Sequence, residues 1–101
     1  MNMTDIFTLM SQFRATHGWR FRYVKRVWWV WDGTQWSYLD ALDRMQRALV
    51  GLARDEFPAK HKAPAQLEHA YMIRNMEMRL RLHLHAETLP GDPTPRDPES
   101  E

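Results

Sequence analysis

Apolar positions along the chain change period several times, and each change predicts an element. From Thr4 to Thr16, Ile6, Leu9, Met10 and Phe13 share one face of a 3.6-residue repeat, which predicts a helix. Thr4 is suited to its N-cap and Asp5 to its first turn. His17-Gly18 reads as the stop, with Gly18 suited to the left-handed position past the last turn. The period then drops to two. Trp19, Phe21 and Tyr23 fall on one side of a strand running to Lys25, and Arg20 and Arg22 on the other. Val27 to Trp31 forms a second apolar run, and Thr34 to Ser37 follows Asp32-Gly33. Asp-Gly between apolar runs predicts a two-residue type I′ hairpin turn. In that register Trp31 faces Thr34, Val30 faces Gln35 and Trp29 faces Trp36. Trp29, Trp31 and Trp36 then share a face, and Trp28 and Val30 point the other way.

The helical period returns from Asp40 to Phe57, with Asp40 or Ser37 as cap, a stripe of Leu42, Met45, Leu49, Leu52 and Ala53, and solvated Arg44, Arg47, Arg54 and Asp55. Pro58 ends it, and residues 59–64 (AKHKAP) read as a short basic linker. From Ala65 to about Leu89 two templates compete. Leu67, Ala70, Tyr71 and Arg74 have helical spacing, but residues 76–85 (MEMRLRLHLH) alternate as a strand would. Met, Glu, Leu and Arg are good helix formers and no residue there is β-branched, so a helix is expected. It would align Met72, Met76, Leu80 and Leu84 in one row, with Ile73 beside them. The last stretch, LPGDPTPRDPESE, has four Pro and reads as a disordered acidic tail. The expected architecture is therefore α+β: one domain over residues 1–89, with an N-terminal helix, a Trp-rich antiparallel hairpin or meander and two further helices, then a tail over residues 90–101.

Composition narrows the classes. A chain of 101 residues has room for one core. It has no Cys, so neither a disulfide nor a thiolate metal site can hold it, and packing by its Trp and Met must. No run approaches the ~18 apolar residues of a membrane span. The first ten residues lack a basic n-region and carry Asp5, against a secretory signal. A cytoplasmic location is expected. Net charge is only +1 but uneven: Phe13 to Trp31 holds five basic residues and no acid, and the first 89 residues carry a net +4. That mild basicity favours a polyanion or an acidic partner.

The passage RFRYVKRVWWVWDGTQW resembles a segment of primase–helicases of the poxvirus type from phages and plasmids. There a tyrosine-containing strand leads into a W-hhW-DG-x-x-W hairpin ahead of the helicase motor. The matching residues are Tyr23, Trp28, Trp31, Asp32, Gly33 and Trp36. In element order the resemblance extends over roughly Phe7 to Pro90, with a helix, a linker, a second helix and a Leu89-Pro90 exit; only the hairpin is specific. The chain has no G-x-x-x-x-G-K-[ST] loop, helicase motor or polymerase carboxylate set, so no catalysis carries over. The resemblance implies a phage or mobile-element origin and a small module beside a nucleic-acid machine.

Candidate chemistry centres on the hairpin. Exposed aromatics stack bases at ~1–3 kcal/mol each while basic side chains follow phosphates. Trp29, Trp31 and Trp36 either serve that role or pack as core under the helices. Trp28, on the opposite face, is the aromatic expected to be exposed. The candidate nucleic-acid or partner-binding residues are Arg20, Arg22, Lys25, Arg26, Trp28, Arg44 and Arg47. His83, His85 and Glu87 form an H-x-H-x-E run that a strand would align as metal ligands, but solvated helix-end residues are the simpler reading, and no metal or cofactor is expected. Asp40 with Asp43, and Asp55 with Glu56, read as caps and solvated positions rather than paired catalytic acids. No nucleophile motif is present, and an enzyme is not expected. Two roles follow. One is a module that grips single-stranded nucleic acid or a replication protein. The other is a phage-encoded inhibitor of a host defence system, of the anti-CRISPR type, that occludes a nuclease or DNA-binding surface with Trp28 and the arginines as anchors.

Overall fold

The computed structural model describes residues 3–56 and 66–95. Helix α1 (Met3–Thr16) buries Ile6, Leu9, Met10 and Phe13, as its period predicts, together with Asp5. Thr4 lies inside the helix rather than capping it, and its carbonyl accepts from the Thr8 hydroxyl. Gly18 does not take a left-handed conformation. It opens a 3₁₀ turn, Gly18–Arg20, which absorbs Trp19 and Arg20 from the expected strand.

A three-stranded antiparallel meander follows, in the order β1 (Phe21–Val24), β2 (Val27–Trp31), β3 (Trp36–Ser37). The tight two-residue turn lies at Lys25-Arg26, where φ is +50° and +66°, the type I′ signature. The pairs are Phe21 with Val30, Arg22 with Trp29, Tyr23 with Trp28 and Val24 with Val27. Asp32-Gly33 instead sits in a four-residue loop, residues 32–35. Trp31 pairs with Trp36 and Val30 with Ser37, two residues away from the expected register. The Asp32 carboxylate organises this loop. One of its oxygens accepts from the Thr34 and Gln35 amides and the Thr34 hydroxyl, bonds that hold the group below its ordinary pKa. A shift of two preserves side-chain parity, so Trp29, Trp31 and Trp36 do share a face.

That face is not the one the helices cover. Phe21, Trp28 and Val30 on the other face are buried, with Tyr23 packed against them. The expectation of an exposed Trp28 is therefore overturned: it is 6% exposed, inside the core. Trp29, Trp31 and Trp36 lie on the outer face, half-buried against each other and Tyr38, with ring centroids 5.3 Å apart for Trp29–Tyr38 and 5.6 Å for Trp31–Trp36. They are not packed under the helices.

Helix α2 (Ala41–Glu56) follows a positive-φ Asp40 and buries Ala41, Met45, Leu49 and Ala53, a strict i+4 row. Leu42, expected in the stripe, is 44% exposed because the row runs through Ala41. Arg44, Arg47, Arg54 and Asp55 are solvated, as expected. The expected stop at Phe57-Pro58 and the linker lie outside the described residues.

Residues 76–83 resolve as helix, while Leu84 and His85 leave it and His85 forms a single bridge with Tyr23. Helix α3 (Gln66–His83) buries Met72, Ile73, Met76 and Leu80, and Leu84 continues the row just past its end. At about 100° per residue, alternation splits the apolar residues between faces. Met76, Leu80 and Leu84 fall within an arc of about 80°, while Met78 and Leu82 lie about 200–240° round from Met76. Met78 and Leu82 are exposed accordingly. After α3 the chain runs beside β1: the Tyr23 amide donates to the Leu84 carbonyl (2.9 Å) and the Ala86 amide to the Tyr23 carbonyl (3.0 Å). It then reaches β3, where the Trp36 indole N–H donates to the Pro90 carbonyl at 2.8 Å. Residues 90–95, the start of the expected tail, are thus described, and residues 96–101 lie outside. No described helix is long and apolar enough to cross a membrane.

Candidate binding surface

The arginines expected to form one surface separate. Arg20 folds back over the Phe21 ring, 5.4 Å from its centroid, and its Nε has no hydrogen-bond partner among the described residues. Arg22 donates from Nη1 to the Gly18 and Phe21 carbonyls at 2.6 and 2.7 Å. These bonds tie the 3₁₀ turn to β1 while leaving Nε and Nη2 unused by them. Lys25 and Arg26 are exposed at the turn. Arg44 and Arg47 project from α2, Arg47 in a solvent-exposed ion pair with Asp43 at 2.9 Å. Pairs of that kind contribute little to stability.

Trp28 has an internal role. Its indole N–H donates 2.8 Å to Glu77 Oε1 on α3, joining sheet to helix. Glu77 is itself only 4% exposed. Arg81, one turn on, donates from Nε to Oε1 at 2.8 Å and from Nη2 to Oε2 at 3.2 Å. The Arg81 guanidinium also lies 5.2 Å from the Tyr23 ring centroid, and Tyr23 packs on Trp28 at 5.0 Å. The carboxylate raises the Arg81 pKa through these hydrogen bonds. A buried carboxylate is thereby neutralised by one cation and one neutral donor, as burial of a charge requires.

A hollow of about 280 Å³ opens over this network, lined by Tyr23, Arg26, Trp28, Glu77 and Arg81, and two larger clefts open beyond it. One, of about 590 Å³, lies where the ends of α1 and α3 meet β1 and is lined by Arg14, Trp19, Arg22, His83 and His85. The other, of about 610 Å³, is lined by Tyr23, Arg26, Met78, Arg81, Leu82 and His85. His85 lines both, so the two clefts adjoin at the edge of β1 in a band that passes round it, with Arg22 facing one cleft and its neighbour Tyr23 the other. No carboxylate lines either cleft. Of the residues expected to bind, only Arg22 and Arg26 line this band. Arg14, Arg81, His83 and His85 join them; their approach to β1 depends on helix docking, which local spacing does not encode. His83, His85 and Glu87 are exposed at the end of α3 and beyond it, and among the described residues no group of three or more side chains could hold a metal ion.

With the fold and the band in view, comparison with known proteins adds no relative: no family model, curated protein or solved structure matches the chain.

Proposed function

We propose that this domain is a non-enzymatic module that binds single-stranded nucleic acid, working beside nucleic-acid machinery of a phage or mobile element. The observation that carries the reading is the group of Arg14, Arg22, Arg26, His83 and His85 lining two clefts that no carboxylate lines, with Arg81 beside them paired to Glu77. It offers cations for successive phosphates, with Trp19 beside them as a stacking surface. Tyr23 is also among the residues that match the primase–helicase segment, whose specific part is the adjoining β2–β3 hairpin. Arg81 is paired with Glu77, so three arginines on phosphates predict a plot of log K against log salt with a slope of about −2 for a single strand. Fluorescence anisotropy with a labelled oligonucleotide between low and physiological salt measures it. Arg14→Gln with Arg26→Gln should flatten the slope by about 1.4, whereas Arg47→Gln, on α2 away from both clefts, should not change it. No binding at low salt would exclude the reading.

A second reading, a phage-encoded inhibitor of a host defence nuclease acting by protein contact, is favoured by one specific observation. Leu82 is 85% exposed in the same cleft as Met78 and Arg26. An unpaired apolar residue beside arginine suits a protein interface core. Leu82→Ser, which removes the apolar surface without adding charge, separates the two: it should abolish capture of a purified effector nuclease if the inhibitor reading holds, and leave oligonucleotide binding essentially intact if the first reading holds.

A further inference from the structure

We propose that the cleft between the ends of α1 and α3 is a site for a terminal phosphate monoester, so that the domain seats a phosphorylated strand end rather than only interior backbone. The inference rests on the single-strand reading for its ligand, but on its own geometry for the site. Four nitrogen-bearing side chains converge there from three parts of the fold. Arg14 comes from the last turn of α1, Arg22 from β1, and His83 and His85 from the end of α3 and the segment alongside β1. The two helix ends offer a structural reason for cations, since each contributes about −0.5 charge. Together they offset about one positive charge. The two guanidiniums alone exceed that, so a positive excess remains even with both imidazoles neutral, each still able to donate one N–H. Part of the Arg22 guanidinium is fixed by the Gly18 and Phe21 carbonyls at 2.6 and 2.7 Å, which orients the group before any ligand arrives. Trp19 forms an aromatic wall of the cleft.

An interior phosphodiester carries one charge and presents two free oxygens as the strand passes. A terminal monoester carries about −1.5 to −2 near neutral pH and presents three. A concave group of several donors with no carboxylate matches the second better than the first. The neighbouring cleft, with Tyr23, Arg26 and Arg81, then takes the strand leading away from its end.

The test uses the full chain and three labelled oligonucleotides of one sequence: 5′-phosphorylated, 3′-phosphorylated and unphosphorylated. One phosphorylated strand should bind about tenfold tighter than the unphosphorylated one, the gain expected of an additional charge-assisted contact. The preference should vanish in Arg14→Gln/His83→Gln, both exposed positions outside the buried core cluster. In parallel, inorganic phosphate is titrated against chloride at equal ionic strength while the His83 and His85 imidazole resonances are followed by NMR. Strands that bind with no preference for either phosphorylated end overturn the proposal and leave the single-strand reading standing. If no strand binds, that reading falls and the titration decides the cleft: phosphate-specific shifts at both imidazoles keep the site, and shifts no larger than chloride gives remove it.

Discussion

The Glu77 carboxylate accepts from the Trp28 indole and twice from the Arg81 guanidinium, and is itself almost wholly buried. Trp28 therefore acts as a strut between sheet and helix. Trp28→Phe keeps an aromatic ring but leaves the buried carboxylate one donor short. An unmade hydrogen bond to a charged group, together with the smaller ring, should cost about 3 kcal/mol. Urea denaturation should show a lower midpoint with an unchanged slope. A midpoint within experimental error of wild type would mean that the indole bond does not brace the fold. Counting Trp and Arg along the chain identifies an unusual stretch but not this division of labour. An indole looks the same in sequence whether it meets a base, a partner or a buried carboxylate.

At the scale of elements, the β1–β2 turn decides which face of the sheet is covered. Type I′ turns favour Asn-Gly because both central residues need positive φ. Here the positions are held by Lys25 and Arg26, which carry no such signal in the sequence. With the turn placed, Tyr23 pairs with Trp28 and Arg22 with Trp29, and the apolar face of the sheet follows at once. Left-handed backbone costs roughly 1–2 kcal/mol at a residue with a Cβ, and Arg26 at this strained tip lines the cleft. Lys25→Asn/Arg26→Gly should raise stability by about 1 kcal/mol while weakening oligonucleotide binding. Thermal denaturation and anisotropy on the same variant check both halves, and a variant no more stable than wild type would show that the turn is not strained. The alternation in α3 is the complementary case. Helix-forming residues and the i+4 row of Met72, Met76, Leu80 and Leu84 made the helix legible, and the same pattern left Met78 and Leu82 outside.

At the scale of the molecule, the segment after α3 closes the fold. It satisfies the free edge of β1 through Tyr23, buries Leu84 and reaches the Trp36 indole. A chain ending at His83 loses that buried side chain, worth about 1.5–3 kcal/mol, and three hydrogen bonds of about 1 kcal/mol each. The sum is a large part of what a small domain has in total. The truncated chain should melt far lower and, with β1 bared, self-associate. Calorimetry and light scattering measure both, and an unaltered melting temperature would show that the segment is not structural.

Periodicity, helix propensity and the absence of Cys were enough to determine the class of this protein: a small α+β domain held by packing, with helices over α1, α2 and α3 and a Trp-rich meander between them. These are local properties, set by which side chains recur at 3.6 or at two residues. Tertiary structure alone decided which sheet face is covered, that Trp28 meets Glu77, and that Arg14, His83 and His85 from distant helix ends join Arg22 in one cleft. Those outcomes depend on strand register and helix docking, in which residues far apart in the chain are brought together by burial of a common core. No local pattern records that pairing.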